Sequence, residues 1–255
     1  MNPYPISNSR LAAFKRSPKH LVHYLLHKPE PTPAMLFGSA FHARLLQPES
    51  FDKLYAVAPD VDRRTKEGKE LYAQFQYTAL DHNLDIISGQ DLSKIDEMVD
   101  SVMNDPIASE LIRSATGREV DRLWTNSVHE LPMRGIIDGV GNGFMFDVKT
   151  CQDAHPVKFG RDAYYSDYHR QAAIYLDSTE DNTTEFYFIA IEKDRPYGVS
   201  VHKVSEHLQE LGRKQYLDAI IEYRAWVDAG MPLSGYEYWH YSGIHDLEAP
   251  NYLKP

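Results

Sequence analysis

An α/β fold with a mixed central sheet flanked by helices, and a mainly helical N-terminal part packed onto it, is the architecture this sequence predicts. Three observations carry the prediction. Segments rich in β-branched and aromatic residues follow one another at 119–128, 131–141 and 143–150, broken by Gly and Asn. The run TEFYFIAIEK at 184–193 is almost continuously apolar, as a strand buried on both faces must be. Segments of helical periodicity precede the first strand, separate the third from the fourth, and follow the last.

The elements follow in chain order. Ser7 or Asn8 caps a helix in SRLAAFKRS, where Leu11 and Phe14 stand at helical spacing. Ser17-Pro18 opens a second helix, since proline suits a first helical turn. KPEPTPAM, 28–35, reads as a proline-rich connection. MLFGSAFHARLL then places Leu36, Ala40, Ala43 and Leu46 near one helical face, stopped by Gln47-Pro48. Residues 49–62 read as extended, 63–80 as a loop entering a charged helix, and 92–105 as a helix ending at Pro106. The three strands come next, with Gly141-Asn142-Gly143 as the tight turn between the second and third. YHRQAAIYLDS is a helix, YGVSVHKVS a strand beside 184–193, and 207–230 a long amphipathic helix ending at Gly230. The 255 residues are expected to form one domain, with 1–110 mainly helical and 111–255 the mixed-sheet core.

Composition narrows the class. No apolar run reaches the length of a membrane span, and MNPYPISNSRLAAFKRSPKH lacks the apolar centre of a signal peptide. Cys151 is the single cysteine, so no intramolecular disulfide forms, and a reduced, partly buried thiol is expected. Together these features predict a cytoplasmic protein. The net charge of −10 argues against a general basic coat. A local basic channel and a bound divalent metal would still offset phosphate charge.

The stretch GIIDGVGNGFMFDVKT holds the chemistry-bearing residues Asp138, Asp147 and Lys149. Side chains alternate along a strand, so Asp147 and Lys149 share a face, and Phe146 and Val148 take the other. The glycine turn makes the strands antiparallel and brings Asp138 toward Asp147. Two adjacent buried carboxylates need a compensating cation, and hard oxygen ligands favour magnesium or manganese. Lys149 would then stabilise charge on a phosphate oxygen or orient water. The same spacing also fits a surface hairpin in which Asp138 opens a turn and Asp147–Lys149 is a solvated pair. His42, mid-helix among small and apolar residues, is either a core histidine or a ligand. Gln171 and Tyr175, four apart, share a helix face.

These segments resemble the RecE-type exonucleases, the nuclease domain of exonuclease VIII, within the PD-(D/E)XK nuclease superfamily. The resemblance runs through FGSAFHARLLQPESF, APDVDRRTKEGKE, GREVDRLW, MRGIIDGV, FDVKT and AYYSDYHRQAAIYLD. It implies His42, Asp138 and Asp147 as metal ligands, Lys149 as catalytic lysine, and Gln171 and Tyr175 as the motif pair of the following helix. Glu119 matches the acid of the first core strand, in a metal-linked or structural role. Many superfamily members hold an iron–sulfur cluster through an S-x-L-x-x-F-x-x-C-P pattern. Here Ser17 stands at that cysteine, so no iron–sulfur cluster is expected.

The resemblance further implies 5′-to-3′ degradation of linear duplex DNA, leaving 3′ single strands for an annealing partner. It also implies a toroidal tetramer, and the nuclease domain alone is expected here. Arg63, Arg64, Lys66 and Lys69 form the densest basic cluster, read either as a DNA-backbone contact or as a solvated loop. A closed ring with Arg63, Arg64 and Lys66 lining its channel would let an acidic chain hold DNA topologically. No Walker loop is present, so ATP-driven unwinding is not expected. Trp239, in GYEYWHY, belongs to a packed C-terminal segment or stacks on a base.

Overall fold

The computed structural model describes residues 5–27, 31–126, 128, 130–179 and 183–233; Trp239 lies outside them. Capping residues set the starts of most helices. Ser7 accepts from Arg10 N at the start of α1, Asn8–Arg16, and Ser17 accepts from His20 N ahead of α2, Pro18–Leu26. Thr32 caps α3, Pro33–Leu46, which carries His42. Each hydroxyl satisfies an amide that the first helical turn leaves without a partner.

Residues 49–62 depart from the extended reading. A 3-10 turn at Pro48–Ser50 leads into α4, Phe51–Leu54, and only Tyr55–Val57 forms strand β1. After α5, Lys66–Asp81, strand β2 at Asp85–Ile87 pairs with β1 in parallel. Three-residue strands are too short to show a period of two, which is why the sequence concealed them. Helix α6 runs Gly89–Asn104, and Pro106 opens a further helix, α7, Pro106–Ser114. Asp105 caps it by accepting from Ile107 N and Ala108 N, the same cap-then-proline start as Ser17-Pro18.

The main sheet holds β3 Gly117–Asn126, β4 Leu131–Val140, β5 Phe144–Cys151, β6 Glu185–Glu192 and β7 Val199–Lys203, in that spatial order. β5 and β6 are parallel and the other neighbours antiparallel, so the sheet is mixed as expected. Gly143, at φ +83°, supplies the left-handed residue of the β4–β5 turn. Helices α8, Pro156–Tyr165, and α9, Tyr168–Leu176, make the crossover to β6, and α10, Glu206–Asp228, closes the order. The sequence reading did not identify α8.

The helical N-terminal part divides between the two faces of this sheet. Leu11, Phe14 and Leu21 of α1 and α2 join Met145, Phe186, Phe188 and residues of α9 and α10 in one core. Phe41, Leu45, Ile95, Met98 and Ile112, from α3, α6 and α7, join Phe146, Val148, Ile189 and Ile191 in the other. The alternation along β5 and β6 assigns the faces: Met145 goes one way, Phe146 and Val148 the other.

Candidate active site and cleft

β4 pairs with β5 only at Gly139–Phe146 and Val140–Met145, then parts from it. Asp138 stands at this fork. Its Oδ2 accepts from Val148 N at 2.7 Å, so the carboxylate takes the place of a backbone partner. The vacated edge of β4 is taken by the N-terminal segment: Ile6 N donates to Pro132 O and Arg134 N to Ile6 O, both at 2.7 Å. Tyr175 packs over β4 at Gly135, where an added Cβ would lie 2.4 Å from its ring. A side chain on residue 135 would close the space that Tyr175 fills.

Around the fork the expected residues converge. His42 Nδ1 lies 3.3 Å from Asp138 Oδ2, which brings α3 against β4. Glu119 sits between Arg118 and Val120, whose partners are Gly139 and Ile137, and therefore faces Asp138 across the β3–β4 ladder. It holds φ +48°, an unusual value for a non-glycine residue that re-aims a strand side chain. Ligand atoms of His42, Glu119 and Asp138 all lie within 4.8 Å of one another. Asp147 is not in that group. Its Oδ2 is 2.6 Å from Lys149 Nζ, and its Oδ1 accepts from Gln171 Nε2 at 2.5 Å. Gln171 Nε2 also lies 3.3 Å from the Tyr175 hydroxyl, so the pair on α9 is joined to the acid of β5. Glu119, a match of undefined role in the sequence, thus stands with His42 and Asp138, while Asp147 is held by lysine and glutamine.

The electrostatics express crowding of carboxylates. Burial, then repulsion from Asp138, pushes Glu119 up to about 7 and Asp147 up to about 6. Burial opposes charge on His42 as well, but Asp138 and then Asp147 outweigh it and raise His42 to about 9. Burial works against ionised Asp138 too, yet His42 and Lys149 hold its carboxyl below the usual range. Lys149 is raised despite burial, by Asp147 and Asp138. Burial lifts Tyr175 to about 12, with Asp147 adding to it. A nitrogen and two carboxylates converge here, with protons retained on His42 and Glu119 beside ionised Asp138, and such a donor set suits a hard divalent cation. The residues present therefore fit a divalent metal, which His42, Glu119 and Asp138 would hold, with Asp147 beside them.

A cleft of about 920 Å³ opens on the Lys149 side of the cluster; His42, Glu119, Asp138 and Asp147 are not among its described lining residues. Lys149, Gln171 and Tyr175 line it together with Ser7, Asn8 and Ser9 of the α1 start, Tyr24, Met35, Ile136 and Tyr168. Among the described residues its cationic lining is Arg10, Arg134, Lys149 and Arg170, and Asp167 is the one acid. A chain of net charge −10 thus gathers cations at one cleft, although Arg134 is paired with Asp121, Lys149 with Asp147 and Arg170 with Asp167. The basic cluster singled out in the sequence does not line it. Arg64 is bonded to Asp62 through Nε and Nη2, Arg63 stacks over Tyr72 at 4.6 Å, and Lys66 lies 3.9 Å from Glu70. Lys69 is exposed on α5. Sequence reasoning missed Arg10, Arg134 and Arg170 because isolated arginines converge only through the fold.

Residues 7–231 match the PDDEXK-like domain of unknown function, DUF3799. The chain belongs to that family. The crystal structure of a "Putative exonuclease" from Eubacterium rectale has a TM-score of 0.62 over 96% of this chain and 91% of that one, at 14% identity, and so shares the fold. A second solved structure, SSO0001, is 15% identical over 76% of this chain and 88% of its own, with a TM-score of 0.31, and carries no argument. No curated protein matches the chain. No described helix is long and apolar enough to cross a membrane.

Proposed function

We propose that this protein is a metal-dependent exodeoxyribonuclease that degrades linear double-stranded DNA in the 5′-to-3′ direction, as the RecE-type resemblance implies. The observation that supports it most is the His42–Glu119–Asp138 group beside Asp147–Lys149, with Lys149 lining a cleft that also carries Arg10, Arg134 and Arg170. A divalent cation bound there would supply Lewis-acid stabilisation of charge on the scissile phosphate. The chain's own residues position and complement it. Lys149, 2.6 Å from Asp147 and held over the Tyr168 ring at 4.7 Å, keeps its proton and donates to a phosphoryl oxygen as charge develops. Gln171 fixes the Asp147 carboxylate, and Tyr175, anchored over Gly135, fixes Gln171.

The proposal includes a cytoplasmic setting, a 3′ single-stranded product handed to an annealing protein, and a ring-shaped homo-oligomer. Arg63, Arg64, Lys66 and Lys69 would then contact duplex outside the cleft. Incubation with magnesium and either linear or closed circular duplex tests the exonuclease reading. Digestion of linear DNA alone is expected; equal cutting of closed circles would replace exonuclease with endonuclease.

A further inference from the structure

Arg170 is fully buried, yet it lines the cleft. Its Nε donates to Asn8 Oδ1 at 2.8 Å and its Nη1 lies 2.9 Å from Asp167 Oδ2 as an ion pair; among the described residues neither Nη1 nor Nη2 has a hydrogen-bond partner, and Nη2 has no ion-pair partner either. A guanidinium in that state is unusual, because a buried donor left unpaired is costly. Desolvation also lowers its pKa, so the protein alone leaves it undercompensated. The group against which it rests is the first turn of α1, where Ser7, Asn8 and Ser9 line the same cleft. That turn carries the positive end of a nine-residue helix. The Ile6 bridge to β4 pins it in place.

We propose that Arg170 and the first turn of α1 form a phosphate site, which takes a backbone phosphate of the bound strand other than the scissile one. The inference rests on the nuclease reading for the identity of the strand. Arg170 is adjacent in sequence to Gln171, which holds Asp147, so the site and the catalytic cluster belong to one wall of one cleft. Asp167 already neutralises part of the guanidinium charge. The phosphate is therefore held chiefly by the free Nη2 and the helix start, as one contact among several along the strand.

Asn8→Asp is the informative variant. It keeps the side-chain shape, places a carboxylate where a helix start favours one, and pairs it with Arg170 Nε, so the fold is retained. The same carboxylate repels phosphate. Binding of a short labelled duplex, with calcium replacing magnesium to suppress cleavage, is measured by fluorescence anisotropy over a salt series. Gln90→Glu, an equal charge change on the exposed start of α6, serves as control. Asn8→Asp is expected to weaken binding by about tenfold and to reduce the salt slope by about one, with the control unchanged. Wild-type affinity and slope in a folded Asn8→Asp protein would overturn the site. A parallel thermal melt with inorganic phosphate separates the two inferences. Phosphate stabilisation of the wild type, lost in Asn8→Asp, upholds the site even where DNA is neither bound nor cut and the nuclease reading falls. No phosphate stabilisation together with no DNA binding overturns both.

Discussion

Replacing Lys149 with Met removes the cation that faces Asp147 and keeps most of the buried stem volume. Lys149 Nζ is 2.6 Å from a carboxylate whose side chain is only 3% exposed, and the lysine side chain itself is 20% exposed. Breaking a buried pair usually costs about 3–5 kcal/mol, because the remaining charge is uncompensated. Asp147 has an escape. Its pKa is already pushed up to about 6, by burial and then by Asp138, so at pH 7 its neutral form lies only on the order of 1 kcal/mol above the ionised one. Lys149→Met is therefore expected to lose about 1–2 kcal/mol at pH 7, with Asp147 protonated. The sign with pH follows from the raised folded pKa. The native state binds the extra proton between the unfolded value of 3.8 and the folded value, so this contribution is full below 3.8 and is lost as pH rises through the folded pKa. The stability gap between variant and wild type should hence narrow as pH falls from 7 toward 5. Activity should fall much further, by about a hundred- to a thousandfold, since the lysine serves developing charge. Urea denaturation across pH, paired with single-turnover digestion of end-labelled duplex, measures both. A folded variant cutting at near wild-type rate would refute the catalytic role, and a pH-independent loss of the full ion-pair energy would refute the proton escape.

Other consequences follow from the same geometry. Metal binding must displace protons from His42, at about 9, and Glu119, at about 7, so magnesium affinity should weaken as pH falls. Calorimetry should show about tenfold per pH unit between 9 and 7 and a steeper fall below 7; flat affinity would remove both residues from the ligand set. Asp138→Asn should weaken metal affinity more than Asp147→Asn, because Asp138 belongs to the converging group and Asp147 is held by Lys149. The reverse order by calorimetry would move the metal toward β5. His42→Ala should impair cleavage, with partial rescue by manganese, which tolerates altered nitrogen and oxygen ligation; unaltered metal dependence would make His42 a core residue. Gly135→Ala forces the Tyr175 ring away from β4 and should cost about 1–3 kcal/mol while disturbing Gln171. A melt within error of wild type would show that the ring moves freely.

Much of this was legible in the sequence because it rests on local pattern. The three-strand meander, its glycine turn and the apolar β6 follow from period-two alternation and from burial on both faces. Asp147 and Lys149 fell on one face for the same reason, opposite Phe146 and Val148. β1, β2, α7 and α8 escaped because each is too short, or follows another element too closely, for a period to emerge. Partners were harder than positions. Two residues one strand apart gave no sign that β4 and β5 part at Asp138, or that Ile6 and Tyr175 occupy the fork. Glu119 joins His42 and Asp138 through a left-handed backbone that nothing in EVDRLW announces. The cleft cations come from α1, β4, β5 and α9, and no window of sequence contains them together.

Digestion of linear duplex by wild-type protein and by Asp138→Asn, side by side with and without magnesium, tests the central claim most directly. Asp138 is buried, bonded to Val148 N, and shared with His42 and Glu119, so a neutral amide keeps the shape and removes the charge that the cation needs. A metal-dependent centre at Asp138 predicts magnesium-dependent digestion by the wild type and a rate lower by about a hundredfold or more in the folded variant. Equal digestion by both proteins, or digestion that persists in chelator, would contradict it.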